Sequence, residues 1–274
     1  MANDKCIAVL DTGAGGLSVV KALRSLAPRE TIYYYADYAH LPYGLKSPEL
    51  IRHLALKAAS KLVALSSCKL LIIACHTISV WWDLEELSVR LKVPVIGMLS
   101  PSIKGLKRLL LNQNYQSFGI VSTQATISSG AYRRHWPEID QQGRCTLVEQ
   151  ACGPLVSLVE EGFFAEQELS LTLNGFLPAG IKEADAILLG CTHFSALRSV
   201  FAKVLAPHAE IIDAGDLVAR EVLLELEANR ELSHSGGSVI KAFVSDNCER
   251  FNKVATRFID EPLSVTLVRD EVLV

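Results

Sequence analysis

The sequence predicts an α/β protein with two pseudo-symmetric domains, mostly parallel sheets and a functional site in the cleft between them. Short apolar runs alternate with amphipathic segments along the chain, which is typical of βαβ units and parallel sheets. A pattern of strands that end in polar residues occurs twice. The chain has 274 residues, half of them hydrophobic, which is enough for one large α/β domain or two of ordinary size.

The first half of the chain contains four apolar runs that predict strands. They are CIAVL (6–10), TIYYYA (31–36), KLLIIA (69–74) and VPVIG (93–97). Helices are predicted to begin near residues 16–18, 48–49 and 78–79, because apolar residues recur there at spacings of three and four.

The pattern restarts after Pro101. The predicted strands are SFGIVS (117–122), CTLVEQ (145–150), ADAILLG (184–190), AEIID (209–213), SVIKAFVS (238–245) and LSVTLV (263–268). Helices are predicted near residues 102–112, 125–135, 154–161, 166–177, 194–205, 214–227 and 247–258. The most loop-like stretch is NRELSHSGGS (229–238).

Two segments at predicted strand ends have similar sequences, LLIIACHTIS (70–79) and AILLGCTHFS (186–195). Each is an aliphatic run followed by a small residue, a cysteine, and His and Thr in one order or the other. An earlier strand in each half also ends in polar residues, Asp11-Thr12 and Ser122-Thr123. Ligands of open α/β sheets bind at the carboxyl ends of the strands, so all four ends are expected to converge on one cleft.

Composition excludes several classes of function. The formal net charge is −3 and the charges are interspersed, so no basic stripe predicts a nucleic-acid partner. No run approaches the roughly 20 apolar residues of a membrane helix, and the apolar run 6–10 is too short for a signal peptide. Seven scattered cysteines show no disulfide spacing. We therefore expect a cytoplasmic protein without nucleic-acid or membrane partners.

Cys75 and Cys191 are the main candidates for chemistry. Each precedes a predicted helix, whose N-terminal partial charge is expected to lower the pKa of the thiol from about 8.5. The alternatives are buried filler cysteines, a Cys-His nucleophile, dithiol redox chemistry and a zinc site that adds His76 and His193. Adjacent Cys and His residues make a poor chelate, and no C-x-x-C is present. Two-base proton transfer uses both thiols symmetrically, one on each face of a substrate carbon.

Two other motifs carry candidate residues. DTGAGG (11–16) is neither a dinucleotide fingerprint nor a P-loop, but its glycines and the following helix start are suited to binding a carboxylate. Asp11 is expected to orient an ammonium or assist Cys75, or else to cap the helix. His193, two residues after Cys191, is expected to favour the thiolate or to relay a proton.

The motifs together resemble the glutamate racemase family. They are DTGAGG, PYG (42–44) with Lys-Ser following, A-C-x-T (74–77), T-x-x-T (123–126) and GCTH (190–193), and the resemblance runs from Ile7 to about Phe258. It implies a cofactor-independent racemase that supplies D-glutamate for bacterial peptidoglycan. It also implies two domains, residues 1–99 with 210–274 and residues 100–209. The expected ligand is glutamate, no metal is expected, and a homodimer is a common assembly of such enzymes.

The resemblance assigns residues one by one. Cys75 and Cys191 correspond to the two proton-transferring thiols, and Asp11, His193 and, more loosely, Glu160 to the groups that assist them. The positions that hold the substrate are Thr12, Pro42, Tyr43, Gly44, His76, Thr77, Thr123, Thr126 and Thr192.

The chain departs from the family pattern at His76, where the family has Asn. Thr12 replaces a Ser, Gly-Pro follows Cys152, and Phe194-Ser195 replaces Tyr-Pro. Both thiols are retained, so activity is expected. The bulkier His76 leaves two alternatives open. One is a related racemase with another acidic substrate, and the other is a catalytically impaired binding or regulatory homologue.

Overall fold

The computed structural model describes residues 5–234 and 239–269. The predicted loop 229–238 falls partly outside this range: residues 229–234 lie outside helices and strands, and residues 235–238 are not described. Within the described ranges all ten predicted strands are present. They are β1 (Cys6–Asp11), β2 (Ile32–Ala36), β3 (Cys68–Ile73), β4 (Val95–Gly97), β5 (Ser117–Ser122), β6 (Thr146–Ala151), β7 (Ala186–Leu189), β8 (Glu210–Asp213), β9 (Ile240–Val244) and β10 (Val265–Leu267).

Helices connect these strands. The α-helices are α1 (Leu17–Leu26), α2 (Pro48–Leu65), α3 (His76–Trp81), α4 (Leu84–Leu91), α5 (Leu99–Asn112), α6 (Gln124–Ser128), α7 (Ala131–Ile139), α8 (Pro154–Glu160), α9 (Glu166–Phe176), α10 (Ala179–Lys182), α11 (Arg198–Val204), α12 (Ala214–Ala228) and α13 (Cys248–Ala255). Short 3₁₀ helices are at Tyr38–His40, Tyr43–Leu45 and Thr192–Leu197.

The strands form two sheets in which every pairing is parallel. The first sheet has the order β10-β9-β2-β1-β3-β4, and the second has the order β6-β5-β7-β8. The prediction of an α/β fold with mostly parallel sheets is therefore confirmed.

The two sheets repeat one strand order. The order β2-β1-β3-β4 in the first corresponds to β6-β5-β7-β8 in the second, so β1 corresponds to β5 and β3 to β7. The first sheet is extended by β9 and β10, which come from the end of the chain. The division into domains at residues 209 and 210 stays a prediction, but β8 begins at Glu210 and pairs with β7 of the second sheet. A division after Asp213 would keep that sheet whole.

The core lies on both faces of the first sheet. Alternate side chains of a strand point to opposite faces, and Ile7 and Val9 of β1 belong to a different buried cluster from Ala8 and Leu10. The cluster of Ile7 and Val9 continues into the second sheet, for example through Phe118 of β5. Both sheets are thus held over one continuous apolar interior, which fixes their strand ends relative to each other.

Two helix predictions differ from the structure. The segment 125–135 is divided between α6 and α7, because Gly130 takes a left-handed conformation with φ of 63°. The segment 194–205 begins as the 3₁₀ helix Thr192–Leu197 before it becomes α11. Among residues 5–234 and 239–269, none of the helices combines the length and the apolar character needed to cross a bilayer.

Candidate active site

A cavity of about 610 Å³ lies where strands of both sheets end. Asp11 is the last residue of β1, and Cys75 follows β3 after one residue. In the second sheet, Thr123 follows β5, and Cys191 follows β7 after one residue. All four residues line the cavity, as the repeated strand ends predict. The predicted site residues in its wall are Asp11, Thr12, Pro42, Tyr43, Gly44, Cys75, His76, Thr77, Thr123, Cys191, Thr192 and His193.

Cys75 is the N-cap residue of α3 and is buried. Burial raises the pKa of its thiol, and the negative charges of Asp11 and Cys191 add to the rise. The backbone N–H groups of Thr77 and Ile78 act in the opposite direction without reversing it. The predicted lowering of this pKa is therefore wrong for Cys75, because desolvation of the thiolate outweighs the helix N-terminus.

Asp11 is fully buried at the base of the cavity. One carboxylate oxygen accepts a hydrogen bond of 2.6 Å from the backbone N–H of Thr12, and the other accepts one of 3.0 Å from the hydroxyl of Thr192. The N-cap of α1 is Gly16, so the alternative role of Asp11 as a helix cap is wrong. Burial raises the pKa of Asp11, while the charge of His193 and these hydrogen bonds oppose the rise.

His193 joins Cys191 to Glu160. Its Nδ1 lies 3.9 Å from Sγ of Cys191, and its Nε2 lies 2.6 Å from Oε1 of Glu160. Burial alone would lower the pKa of His193, but the hydrogen bonds to Cys191 and Glu160 outweigh it and raise the pKa well above its usual range. His193 is therefore a buried cation that can exchange a proton with the thiol it contacts.

Glu160 lies behind the cavity wall and is completely buried. Burial would raise the pKa of its carboxyl, but the bonds to His193, to the N–H of Ala14 and to the hydroxyl of Tyr38 lower it. The Ala14 and Tyr38 bonds are both 2.7 Å long. The carboxylate thus contacts the site through His193.

His76 is buried in the wall of the cavity, at the start of α3. Burial lowers the pKa of its imidazole to about 3, so the ring is neutral. Its Nε2 lies 3.0 Å from the hydroxyl of Tyr132, a residue that does not line the cavity. Within the described part of the chain, Nδ1 of His76 has no hydrogen-bond partner.

Hydrogen bonds among the hydroxyls of three threonines join the two halves of the site. The hydroxyls of Thr77 and Thr123 are 3.1 Å apart, and those of Thr123 and Thr126 are 3.0 Å apart. Thr126 bonds to Thr123 and does not line the cavity, so its contact with the substrate stays a prediction. Across the cleft, a side chain on Gly44 would come within 3.1 Å of Thr123.

The mouth of the cavity contains residues that the motifs do not indicate. Leu45, Val156, Leu158 and Phe176 give it an apolar rim, and the side chain of Leu45 is largely exposed. Exposed apolar side chains carry no pattern that separates a rim from an ordinary surface. Tyr132 was likewise missed, because a tyrosine on a helix gives no signal of the imidazole it contacts.

The predicted zinc alternative finds no support in residues 5–234 and 239–269, where no three His, Cys, Asp or Glu side chains are grouped closely enough to hold a metal ion. His76 faces Tyr132, and His193 faces Glu160.

The fold and the site define a class of enzyme. Two parallel sheets enclose a cleft, and each contributes one thiol from a strand end. Asp11 and His193 line the same cavity, and Glu160 lies behind it. Known proteins share this fold. Residues 14–222 match the model of the Asp/Glu/hydantoin racemase family. The chain therefore belongs to this family of isomerases.

Individual relatives match over nearly the full chain. A glutamate racemase of Geobacter metallireducens is 35% identical over 93% of this chain and 93% of its own. The crystal structure of glutamate racemase from Thermus thermophilus in complex with β-chloro-D-alanine has a TM-score of 0.82 at 32% identity, covering 98% of both chains. The structure of the Francisella tularensis glutamate racemase in complex with D-glutamate has a TM-score of 0.84 at 30% identity, covering 97% of this chain and 98% of that chain.

Proposed function

We propose that the protein interconverts L- and D-glutamate without a cofactor by proton transfer between Cys75, Cys191 and the substrate Cα. One thiolate removes the α-proton from one face and becomes a thiol. The other thiol gives its proton to the opposite face of the carbanion and becomes a thiolate. The reverse reaction exchanges the two roles, so atoms and charge balance in both directions.

The observation that carries the proposal is the entry of one thiol from each sheet into the same cavity. Two groups of like chemistry on opposite sides are what inversion at one carbon requires. Each thiol also has its own ionisable neighbour, Asp11 for Cys75 and His193 for Cys191. This pairing supports two acid–base units rather than one nucleophile.

The substrate itself explains how Cys75 becomes reactive. Burial and the negative charge of Asp11 both raise the pKa of Cys75. A substrate ammonium beside Asp11 would offset that carboxylate charge and so reduce the second cause. The thiolate of Cys75 would then form mainly when an amino acid is bound, which protects the free enzyme from unwanted thiol chemistry.

Glutamate is supported as the substrate by relatives that carry this name and by the complex of one of them with D-glutamate. Threonine hydroxyls and neutral His76 supply hydrogen-bond donors for its carboxylates. The proposed biological role is to supply D-glutamate for peptidoglycan. A homodimer is the proposed assembly.

The experiment is to incubate the purified protein with L-glutamate in D₂O without added cofactor. Deuterium at Cα and optical rotation are followed together. We expect deuterium to enter Cα while the rotation falls to zero, because both events pass through the same carbanion.

A folded protein that produces neither signal would contradict the proposal. Testing aspartate and other acidic amino acids in the same way then separates a related racemase from a homologue that only binds. Binding of glutamate without deuterium uptake would identify the latter.

A further inference from the structure

Tyr38 makes a hydrogen bond that the proton transfer between the thiols does not by itself require. Its hydroxyl lies 2.7 Å from Oε2 of Glu160. Tyr38 follows β2 of the first sheet, whereas Glu160 ends α8 beside the second. Tyr38 is 7% exposed and does not line the active-site cavity, and Glu160 is completely buried. The contact between them is therefore shielded from solvent, where such bonds are strongest.

The direction of this hydrogen bond is fixed by the groups that make it. Burial would raise the pKa of Glu160, but the hydrogen bonds from His193, from the N–H of Ala14 and from Tyr38 lower it, so the carboxyl is ionised. An ionised carboxylate only accepts hydrogen bonds. Burial and the charge of Glu160 raise the pKa of Tyr38, so the phenol keeps the proton that it donates.

Tyr38 differs from the other two donors in the oxygen that it binds. Ala14 and His193 both bond to Oε1, and among the described residues Tyr38 supplies the hydrogen bond to Oε2. Without the hydroxyl, Oε2 would be buried and unpaired, which makes the carboxylate more basic. The proton shared with Nε2 of His193 would then move towards Oε1. His193 would lose positive charge, and the thiolate of Cys191, 3.9 Å from Nδ1, would be less favoured.

Packing holds the ring of Tyr38 in the orientation that this bond needs. The ring meets that of Phe251 edge-on, with centroids 6.0 Å apart and planes at 88°. The guanidinium of Arg250 lies 5.7 Å from the centroid of Tyr38, and its Nε donates a bond of 2.9 Å to the backbone carbonyl of Glu160. Phe251 and Arg250 are both on α13. This helix therefore fixes both partners of the bond.

Cys75 lacks a comparable link to Tyr38. Its ionisable neighbour is Asp11, whose carboxylate accepts hydrogen bonds from the N–H of Thr12 and the hydroxyl of Thr192. The charge of Glu160 raises the pKa of Asp11, but burial, the charge of His193 and those two bonds act more strongly. The effect of Tyr38 is therefore expected on the side of Cys191.

We propose that Tyr38 is a positioning residue of the half-reaction of Cys191, in which its hydroxyl holds Glu160 as the anion that keeps His193 a cation beside the thiol. The inference rests on the proposed function, because it assigns Tyr38 to one of the two proton transfers. It goes further in separating the two half-reactions by a residue that lies outside the cavity.

The first test locates the shared proton. Protein labelled with ¹³C and ¹⁵N is studied by NMR without ligand, and the ring signals of His193 are assigned through bonds from its backbone. In the wild type we expect both ring nitrogens to be protonated. Tyr38→Phe keeps the ring contacts and removes only the hydroxyl, so the ¹⁵N shift of Nε2 should move towards its unprotonated value.

Tyr115→Phe is the matched control for this test. It also removes a tyrosine hydroxyl that bonds to a glutamate, Glu210, but neither residue lines the cavity. The ring signals of His193 should stay at their wild-type positions in this variant.

The second test measures each half-reaction by itself, as deuterium uptake in D₂O by variants with one remaining thiol. In Cys75→Ser, where Cys191 is the remaining base, we expect added Tyr38→Phe to slow exchange about tenfold, because one hydrogen bond to a charged group is lost. In Cys191→Ser, where Cys75 remains, the same substitution should change exchange by less than about twofold, since it has no shared partner with that thiol. A general loss of packing would slow both alike.

The outcomes distinguish this inference from the proposed function. An unchanged Nε2 signal in Tyr38→Phe, or equal slowing of exchange in both thiol variants, overturns the inference even if the wild type racemises glutamate. A shifted Nε2 signal together with slowing confined to Cys75→Ser supports it. A folded wild type that takes up no deuterium overturns the proposed function, and with it the assignment of Tyr38 to a half-reaction.

Discussion

Cys75 and Cys191 have different surroundings although the residues beside them in the sequence are nearly the same. Cys75 is the N-cap residue of α3 and lies near the carboxylate of Asp11, whereas Cys191 contacts the imidazole of His193. The two thiols therefore start the reaction from unlike electrostatic environments. This difference can make kcat and KM unequal in the two directions, while kcat/KM stays equal because the two enantiomers have the same free energy in solution.

Replacing either thiol tests the two-base mechanism. In Cys75→Ser and Cys191→Ser we expect racemisation to fall by about 10³-fold, because a hydroxyl is a far weaker base than a thiolate. The remaining thiol can still remove and return a proton on its own face. Each variant should therefore exchange the α-proton of one enantiomer only, and the two variants should exchange opposite enantiomers.

Deuterium uptake by pure L- and pure D-glutamate in D₂O measures this. Cys248→Ser is the control, since Cys248 is partly exposed on α13 and does not line the cavity. Wild-type turnover in either thiol variant, or exchange of the same enantiomer by both, would contradict the mechanism.

Strand ends made the cavity residues predictable from the sequence. Asp11, Cys75 and Cys191 follow buried apolar runs, and the carboxyl ends of parallel strands meet at one edge. The strand-end pattern does not distinguish residues that lie behind the cavity wall from residues that line it. Glu160 lies on α8, and whether a helical side chain reaches the wall or stops one layer behind depends on packing distances that the sequence does not contain.

The turn between β1 and α1 packs closely against His193, so that a side chain at Gly15 is excluded. A Cβ at Gly15 would lie 2.7 Å from the backbone nitrogen of His193 and 2.6 Å from its Nδ1. The glycines of DTGAGG are thus explained by the close approach of two chain segments, in addition to any role in binding an anion.

Gly15→Ala is expected to destabilise the protein by about 2 kcal/mol, because backbone atoms cannot move aside cheaply. It should also lower kcat, since the displaced group is His193. Urea unfolding and racemisation assays measure the two effects.

Gly175→Ala is the matched control. Gly175 is within α9, and a Cβ there would meet nothing within 4 Å. This change should raise the free energy of unfolding by about 0.5–1 kcal/mol through helix propensity. A Gly15→Ala variant as stable as the wild type would show that the turn adapts.

The central strands β1, β3, β5 and β7 were predictable because parallel strands buried on both faces appear as short apolar runs. The edge strands β6 and β10 are only partly buried and were predicted from shorter or mixed runs. Helix ends were less predictable from the sequence. The break between α6 and α7 depends on the left-handed Gly130, and an isolated glycine in a helical pattern does not by itself indicate a break. The 3₁₀ start after Cys191 likewise depends on local hydrogen bonding that periodicity does not reveal.

The repeated strand order explains why one cavity receives matching groups from both sides. The corresponding strands β3 and β7 are each followed, after one residue, by a cysteine. The corresponding strands β1 and β5 are followed by Thr12 and Thr123, which also line the cavity. Direct bonds then join the two halves across the cleft. The hydroxyls of Thr77 and Thr123 form one, and Trp81 Nε1 donates another of 3.1 Å to the carbonyl of Ala125.

Glu160 joins the same two halves on the side of Cys191. It extends from α8, beside the second sheet, and accepts hydrogen bonds from Ala14 and Tyr38, which follow β1 and β2 of the first. Its ion pair with His193 is inaccessible to solvent. The charge state of this pair should therefore affect the stability of the whole protein.

Glu160→Gln is expected to lower the free energy of unfolding by about 3 kcal/mol, because His193 then stays buried without a counter-charge. The loss should depend on pH. The pKa of Glu160 is lowered from 4.5, so its stabilisation is complete above that value and is lost as pH falls through the folded pKa. The pKa of His193 is raised from 6.5, so its stabilisation is complete below that value and is lost as pH rises through the folded pKa.

The difference between wild type and variant should thus be largest between pH 4.5 and 6.5 and decline on both sides. Urea unfolding from about pH 4 to about pH 9 measures it. Glu161→Gln is the neighbouring control, since the exposed pair of Glu161 with Arg250 should contribute only about 0.5 kcal/mol. A difference that stays constant with pH would mean that Glu160 stabilises the two halves through its neutral hydrogen bonds to Ala14 and Tyr38, and not through its charge.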